Sequence, residues 1–481
     1  MAERLVIVSN RVPLAAADDD VRALGVDGVE DERVLWFGWS GRLSDDCTPY
    51  AMPARGLGRA VNFVGVDLSA GHYEGHLNGF ANGTLWPLFH DMPERVRFHP
   101  EDLAFYRAVN AEFAKHLSRL LRADDRIWIH DYHLIPLAAL LRQAGVKNAI
   151  GLFLHVPFPS PRGFVAWPWH KKFVSDFAAY DLIGFQTHHD ARNFDDFMRA
   201  ASGRFCTGSR AAGPRTIPAT GVFPVGLHTR LHMASAAGAE TAARMRRLAQ
   251  AVHGRQTIIS VDRLDYTKGL LERLRAYESL LDQTHEYRGT STLVQVTLPS
   301  RPLVPGYLEL RMEQQSLVER INARHLTRGW MPVLDIFAKL PQSSLAALYR
   351  LGHVGLATPL RDGVNLTAKE YVAAQDPADP GALILSRFAG AAELLGDALL
   401  VDPADSRQMT EALRAALGMP LTERQDRWRR MIVKLLHHDA VQWHQSYVAA
   451  LALAHRAALA RTGIIDLAAQ PAANRAQARA A

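Results

Sequence analysis

Short apolar runs rich in Val and Ile recur through the chain, separated by amphipathic stretches of helix length, and few folds accommodate that alternation. It predicts parallel sheets flanked by helices. In the first half, residues 5–9, 127–131, 150–155 and 182–186 read as buried strands; residues 257–261, 293–298, 354–358 and 383–386 repeat the pattern in the second. The 481 residues exceed what one hydrophobic core usually serves, so the expected fold is α/β, with two Rossmann-like domains whose parallel sheets face a central cleft. Residues 201–218 are rich in Gly, Arg, Ser and Pro, a further apolar run follows at 222–226, and a helix-like stretch covers 237–251. The boundary therefore falls near 226–235. The expected division is an N-terminal domain at 1–228, a C-terminal domain at 229–438, a helix at 439–465 packing back on the first domain, and a disordered Ala-rich tail at 466–481.

Composition narrows the function classes. With 48% hydrophobic and 22% charged residues the chain reads as an ordinary globular protein. No apolar stretch approaches the roughly 18 residues that cross a bilayer, and the N-terminus lacks the features of a signal peptide, so a cytoplasmic enzyme is expected. Two cysteines, Cys47 and Cys206, are too few for a disulfide framework or a cysteine zinc site. The net charge of +6 is dispersed, without a nucleic-acid signature, and suits anionic small substrates equally well.

Ligands of open parallel sheets bind beyond the carboxyl ends of the strands. The polar clusters there are Asn10–Arg11, His130–His133, His155, Arg263–Lys268, Ser300–Arg301 and Arg361–Glu370. In VDRLDYTKG (261–269), Arg263 and Lys268 leave one strand as a planar fork and a point charge, a spacing suited to both phosphates of a diphosphate, though such a pair is also compatible with a solvated surface. In TPLRDGVNLTAKE (358–370), Gly363 permits a tight turn and Asn365 is a good N-cap, so a helix opens through Leu366 with its free amides available to an anion. Glu370 lies one turn further along, where its carboxylate would accept hydrogen bonds from ribose hydroxyls; the plain alternative is a solvated helix residue. His130 and His133 form an H-x-x-H without evident further metal ligands, and His188–His189 reads as surface.

VIVSNR, LWFGWSG, WIHDYHL, GLFLHVPFP, VDRLDYTKG, RINARHLTRGW, TPLRDGVNLTAKEYVAAQDP and LSRFAGAAELL, in this order from Arg4 to about Trp443, resemble the trehalose-6-phosphate synthases, retaining glycosyltransferases of two-domain GT-B architecture. The resemblance implies glucose transfer from UDP-glucose to glucose 6-phosphate, giving trehalose 6-phosphate and UDP, with no metal and no cofactor, by front-face attack in which the donor phosphate takes the acceptor's proton. It implies that Arg263 and Lys268 hold the diphosphate, Gly363, Val364, Asn365 and Leu366 line the donor phosphates and sugar, Glu370 meets the ribose, and Asp362 and His155 face the donor glucose. Arg11 and Arg301 would clamp the acceptor phosphate, Trp39 and Trp86 would offer flat faces to a pyranose, and Asp131 would accept from acceptor hydroxyls. The nucleobase is expected near residues 332–345, and homodimers or homotetramers are common in the family.

Two departures bear on the acceptor. Residues 13–34 carry seven carboxylates and no adjacent glycines where the family has a Gly-Gly loop, and Leu77 stands where the family has a tyrosine, with Tyr73 nearby. Alternatives are therefore the same donor chemistry with another sugar-phosphate or polyol-phosphate acceptor, or a weakly active or non-catalytic homologue.

Overall fold

The computed structural model describes residues 4–13, 33–52, 61–165, 167–203, 217–252, 254–300 and 306–461. Arg301, the acidic segment 14–32 and the tail at 466–481 lie outside the described residues.

The first sheet is built from β1 (Arg4–Arg11), β2 (Arg33–Leu43), β3 (Tyr50–Met52), β4 (Val61–Leu68), β5 (Arg126–His130), β6 (Ala149–Phe153), β7 (Leu182–Phe185) and β8 (Ala219–Val222). Their order is β3-β4-β2-β1-β5-β6-β7-β8, parallel throughout except for the antiparallel β3–β4 pair. The second sheet takes β9 (Gln256–Arg263), β10 (Ser291–Leu298), β11 (Val333–Phe337), β12 (Val354–Ala357), β13 (Ala382–Ser386) and β14 (Leu399–Val401) in the all-parallel order β11-β10-β9-β12-β13-β14. The eight expected strands are all present; β2, β3, β4, β8, β11 and β14 join them.

In each sheet the chain steps outward from its first strand and then returns to that strand's other side. The reversal falls between β1 and β5 in one sheet and between β9 and β12 in the other. At such a switch point adjacent connections leave on opposite faces and open a crevice at the carboxyl edge.

Side-chain alternation along a strand sorts each sheet's residues between two cores. Val6 and Val8 point to one face of the first sheet, packed by Tyr106, Val109 and Phe113 of the helix Pro100–Leu120. Leu5 and Ile7 point to the other, where Trp443, Tyr447 and Leu451 of the last helix, Ala440–Arg461, cover them. The helix before it, Leu421–His437, stays with the second sheet through Trp428, Met431 and Ile432. The chain thus crosses between the sheets twice. The outward crossing runs beside the return one, with Leu227 bridged to Asp439 and the Ala440 amide donating to the Leu227 carbonyl at 3.3 Å. Two helices, Thr229–Ala237 and Ala239–Ala251, follow the first crossing where one helical stretch was expected.

A β-carbon on Gly226 would lie 2.0 Å from the Asp439 carbonyl carbon, so the two crossings touch at backbone distance. Gly226→Ala is expected to destabilise the protein by about 1–3 kcal/mol, the usual range for overpacking, read as a lowered melting temperature in calorimetry. An unchanged melting temperature would show that the crossings can separate freely.

Candidate active site

Both carboxyl edges open on one cleft of about 660 Å³. From the first sheet it receives Asn10 and Arg11 after β1, His130 and Asp131 at β5, and His155 after β6; from the second, Arg263 ending β9, Lys268, and the turn and helix that follow β12.

The loop after β9 shows how the sequence sorts its charges. Asp262 is buried in an ion pair with Arg273, itself fully buried, at 2.7 Å. Asp265 caps a short 3-10 turn, Tyr266–Lys268, by accepting from the Thr267 amide at 3.0 Å. With both carboxylates of the motif engaged in structure, its cations turn to the cleft: Arg263 is exposed, its guanidinium 5.7 Å from the Trp86 ring of the other domain. Lys268 pairs with Asp362 at 2.5 Å.

After β12, Asn365 adopts φ 60°, a left-handed conformation that asparagine tolerates, and its side chain caps the helix Leu366–Ala374 by accepting from the Ala368 amide at 3.0 Å. Its amide group also donates to Asp362 at 3.1 Å. Burial pushes the Asp362 carboxyl up, but Lys268, through charge and hydrogen bond, and then His90 and Arg263 outweigh it and hold it below the ordinary value. Glu370 accepts from the Tyr349 hydroxyl at 3.1 Å. Gly363 sits where a β-carbon would be 2.0 Å from the His155 carbonyl oxygen, so the turn of one domain rests directly on the backbone of the other. Arg361 spans the same junction, ion-paired with Asp91 and donating to the Phe158 carbonyl at 3.3 Å.

On the opposite wall Asp131 takes φ 70°, a strained backbone at a strand end, and accepts from the His155 amide at 3.3 Å. His155 and His130 lie with Nε2 and Nδ1 3.1 Å apart. Burial lowers His155 to about 4 and takes His130 well below its ordinary range, with His155 adding to the latter. Both rings are neutral at pH 7, so one nitrogen of the pair donates to the other. His133, the other histidine of the H-x-x-H, lines the cleft with its ring 4.0 Å from that of Tyr132.

Trp39 departs from the expectation that its face receives a sugar. Its indole N–H donates to the Arg42 carbonyl at 2.8 Å, Tyr73 lies 5.2 Å from its ring, and the buried ring lies beneath Arg11 rather than in the cleft lining. Trp86 does line the cleft. So do Leu77 and Tyr73, one turn apart on the π-helical stretch Tyr73–Leu85; a tyrosine side chain thus lines this wall although position 77 carries none. Gln342 and Leu345, from the segment expected to hold the base, also line it. The sequence reading missed His90, whose Nδ1 lies 2.7 Å from the Trp86 carbonyl; its only signal was a polar residue closing the apolar run WPLF.

Two parallel α/β sheets presenting their switch points to one interdomain cleft, with cations and a capped helix start on one wall, define the GT-B class of nucleotide-sugar glycosyltransferases. Within that class, the chain belongs to glycosyltransferase family 20, whose sequence model matches residues 10–453. It is 41% identical over 452 residues to the trehalose-6-phosphate synthase of Sinorhizobium fredii, covering 92% of this chain and 97% of that one. An α,α-trehalose-phosphate synthase (UDP-forming) of Burkholderia xenovorans in complex with glucose 6-phosphate superposes with a TM-score of 0.86 at 41% identity, covering 93% of this chain and 99% of that one. The E. coli protein bound with UDP-2-fluoro glucose gives a TM-score of 0.86 at 37% identity, with coverages of 93% and 99%.

His90 is held neutral by burial, with its value lowered to about 4 against the pull of the Trp86 carbonyl. Its unfolded form takes a proton below about 6.5, so its contribution to stability is present above that pH and lost as the pH falls toward about 4. The melting temperature of the wild type should therefore fall more steeply over this window than that of His90→Gln. Parallel curves would contradict a buried neutral imidazole.

Proposed function

We propose that this protein is a retaining glucosyltransferase that makes α,α-trehalose 6-phosphate and UDP from UDP-glucose and glucose 6-phosphate. The observation that carries the reading is the meeting of two switch points on one cleft, with Arg263, Lys268 and the helix start at Leu366 on one wall and Arg11 and Asp131 on the other. The relatives' names supply the substrates, and the charges suit them: a diphosphate for one wall, a sugar phosphate for the other.

In this reading the donor diphosphate lies between the Arg263–Lys268 pair and the unpaired amides at the start of the capped helix. Lys268 carries three donors, so it can keep Asp362 while reaching a phosphate oxygen. Asp362, already accepting from Lys268 and Asn365 through Oδ2, has Oδ1 left for a sugar hydroxyl. Neutral His155 meets the donor glucose as a hydrogen-bonding group, not as a charge. The bond from the anomeric carbon to the leaving phosphate oxygen breaks as the acceptor oxygen approaches the same face, and that phosphate oxygen takes the acceptor hydroxyl's proton. Arg263 and Lys268 stabilise the negative charge that grows on the UDP leaving group, the part of the barrier most sensitive to fixed positive charge. Arg11, lying over Trp39, with Tyr73 beside it, receives the acceptor phosphate, and Arg301 completes the clamp.

Purified protein with UDP-glucose and glucose 6-phosphate is expected to release UDP and a disaccharide phosphate in a coupled assay; UDP-glucose left intact at high enzyme concentration would sink the proposal. Arg263→Ala should lower kcat by about a hundredfold, as for the loss of one charge-stabilising donor. Near-normal turnover would remove Arg263 from this role.

A further inference from the structure

Glu370 stands where two spaces meet. With Gln342, Tyr349 and Leu366 it lines both the interdomain cleft and a smaller cavity of about 240 Å³ bordered by the helix Thr229–Ala237. The torsion that orients a glutamate's carboxylate is soft, and the group can turn to either space. What it presents to a ligand in the cleft depends on what anchors it.

The anchor comes from a different helix. Tyr349, on Gln342–Leu351, is 2% exposed, and its hydroxyl donates to Glu370 Oε2 at 3.1 Å, with Thr367 also in reach. On the other side His232 Nε2 lies 4.0 Å from Oε1. Burial, and then the charge of Glu370, hold the phenol well above its ordinary range, so it stays a donor at any working pH. The ring itself packs edge-on to Tyr371 at 6.5 Å, a role phenylalanine would fill equally well. A buried hydroxyl is costly without an acceptor, so the tyrosine oxygen is accounted for by the carboxylate it holds.

We propose that Tyr349 is the positioning residue that fixes the Glu370 carboxylate toward the donor ribose, and that it thereby sets the preference for a ribonucleotide over a nucleotide lacking ribose hydroxyls. This rests on the reading of Glu370 as the ribose partner. With the phenol holding Oε2, the carboxylate is presented to the 2′- and 3′-hydroxyls in the cleft. Without the phenol, the carboxylate spends part of its time turned to the smaller cavity, and the ribose loses acceptors while the diphosphate keeps all its cations.

Calorimetric titration of the full chain with UDP and with 2′,3′-dideoxy-UDP separates these contributions. Tyr349→Phe should weaken UDP binding about tenfold, the effect expected for a hydrogen bond to a charged group, and leave dideoxy-UDP within about twofold of wild type. Adding Tyr349→Phe to Glu370→Gln should cost little further, because the tyrosine acts through the carboxylate. Equal weakening of both nucleotides, or no weakening of either, overturns the proposal, as does full additivity in the double variant. Should Glu370→Gln lose the preference for UDP while Tyr349→Phe keeps it, the ribose reading stands and the tyrosine's role falls. Should Glu370→Gln discriminate the two nucleotides as wild type does, the ribose reading itself fails and the inference falls with it.

Discussion

The seat of Gly363 on the His155 carbonyl sets the geometry on which the rest of the cleft depends. A methyl group there would lie 2.0 Å from that oxygen, so the two domains approach as closely as a glycine allows. Everything that must face across the gap takes its spacing from this contact: the helix start at Leu366 on one side, the neutral His130–His155 pair on the other. Gly390 backs the seat, since its own β-carbon would fall 1.8 Å from the Gly363 carbonyl oxygen. The surrounding junction is polar, made of the Arg361–Asp91 ion pair, the Arg95 guanidinium 4.6 Å from the Tyr266 ring, and the Glu393 carboxylate accepting from the His188 amide at 3.1 Å. Such contacts are weak singly and can be remade, whereas the double crossing at Gly226 and Asp439 holds the hinge side at backbone distance.

Electrostatics in the donor wall follow from burial. A buried carboxylate is tolerated where a cation or several hydrogen bonds meet it, and each acidic residue near the cleft floor has such a partner: Asp262 has Arg273, Asp265 has the Thr267 amide, Asp362 has Lys268 and Asn365. The positive charge left facing the cleft is therefore fixed by the fold before any ligand arrives, which is the condition for stabilising a leaving group without reorganisation. The neutral histidines fit the same picture, because burial lowers both and leaves them hydrogen-bonding groups and not further cations.

Much of this was legible in the letters. Apolar runs such as IWI at 127–129 became strands with no exposed residue, because continuous apolarity over strand length is satisfied only between two covered faces. Gly363, Asn365 and Glu370 fell in the turn, cap and helix that their spacing predicted, since capping is local chemistry. The tryptophans divided: Trp86 lines the cleft, while Trp39 lies beneath Arg11, a difference that spacing cannot carry because it turns on contacts between separate elements.

Sequence by itself determined the two-sheet α/β class, the strand ends that carry polar groups, the capped helix and the family, all properties of patterns within a few tens of residues. Tertiary structure alone decided which charges in VDRLDYTKG face the cleft, that His130 turns to His155, and that Tyr349 holds Glu370. Each joins residues distant in sequence or sorts neighbours by burial, and a partner's position in space is fixed only when the two sheets and their crossings have closed.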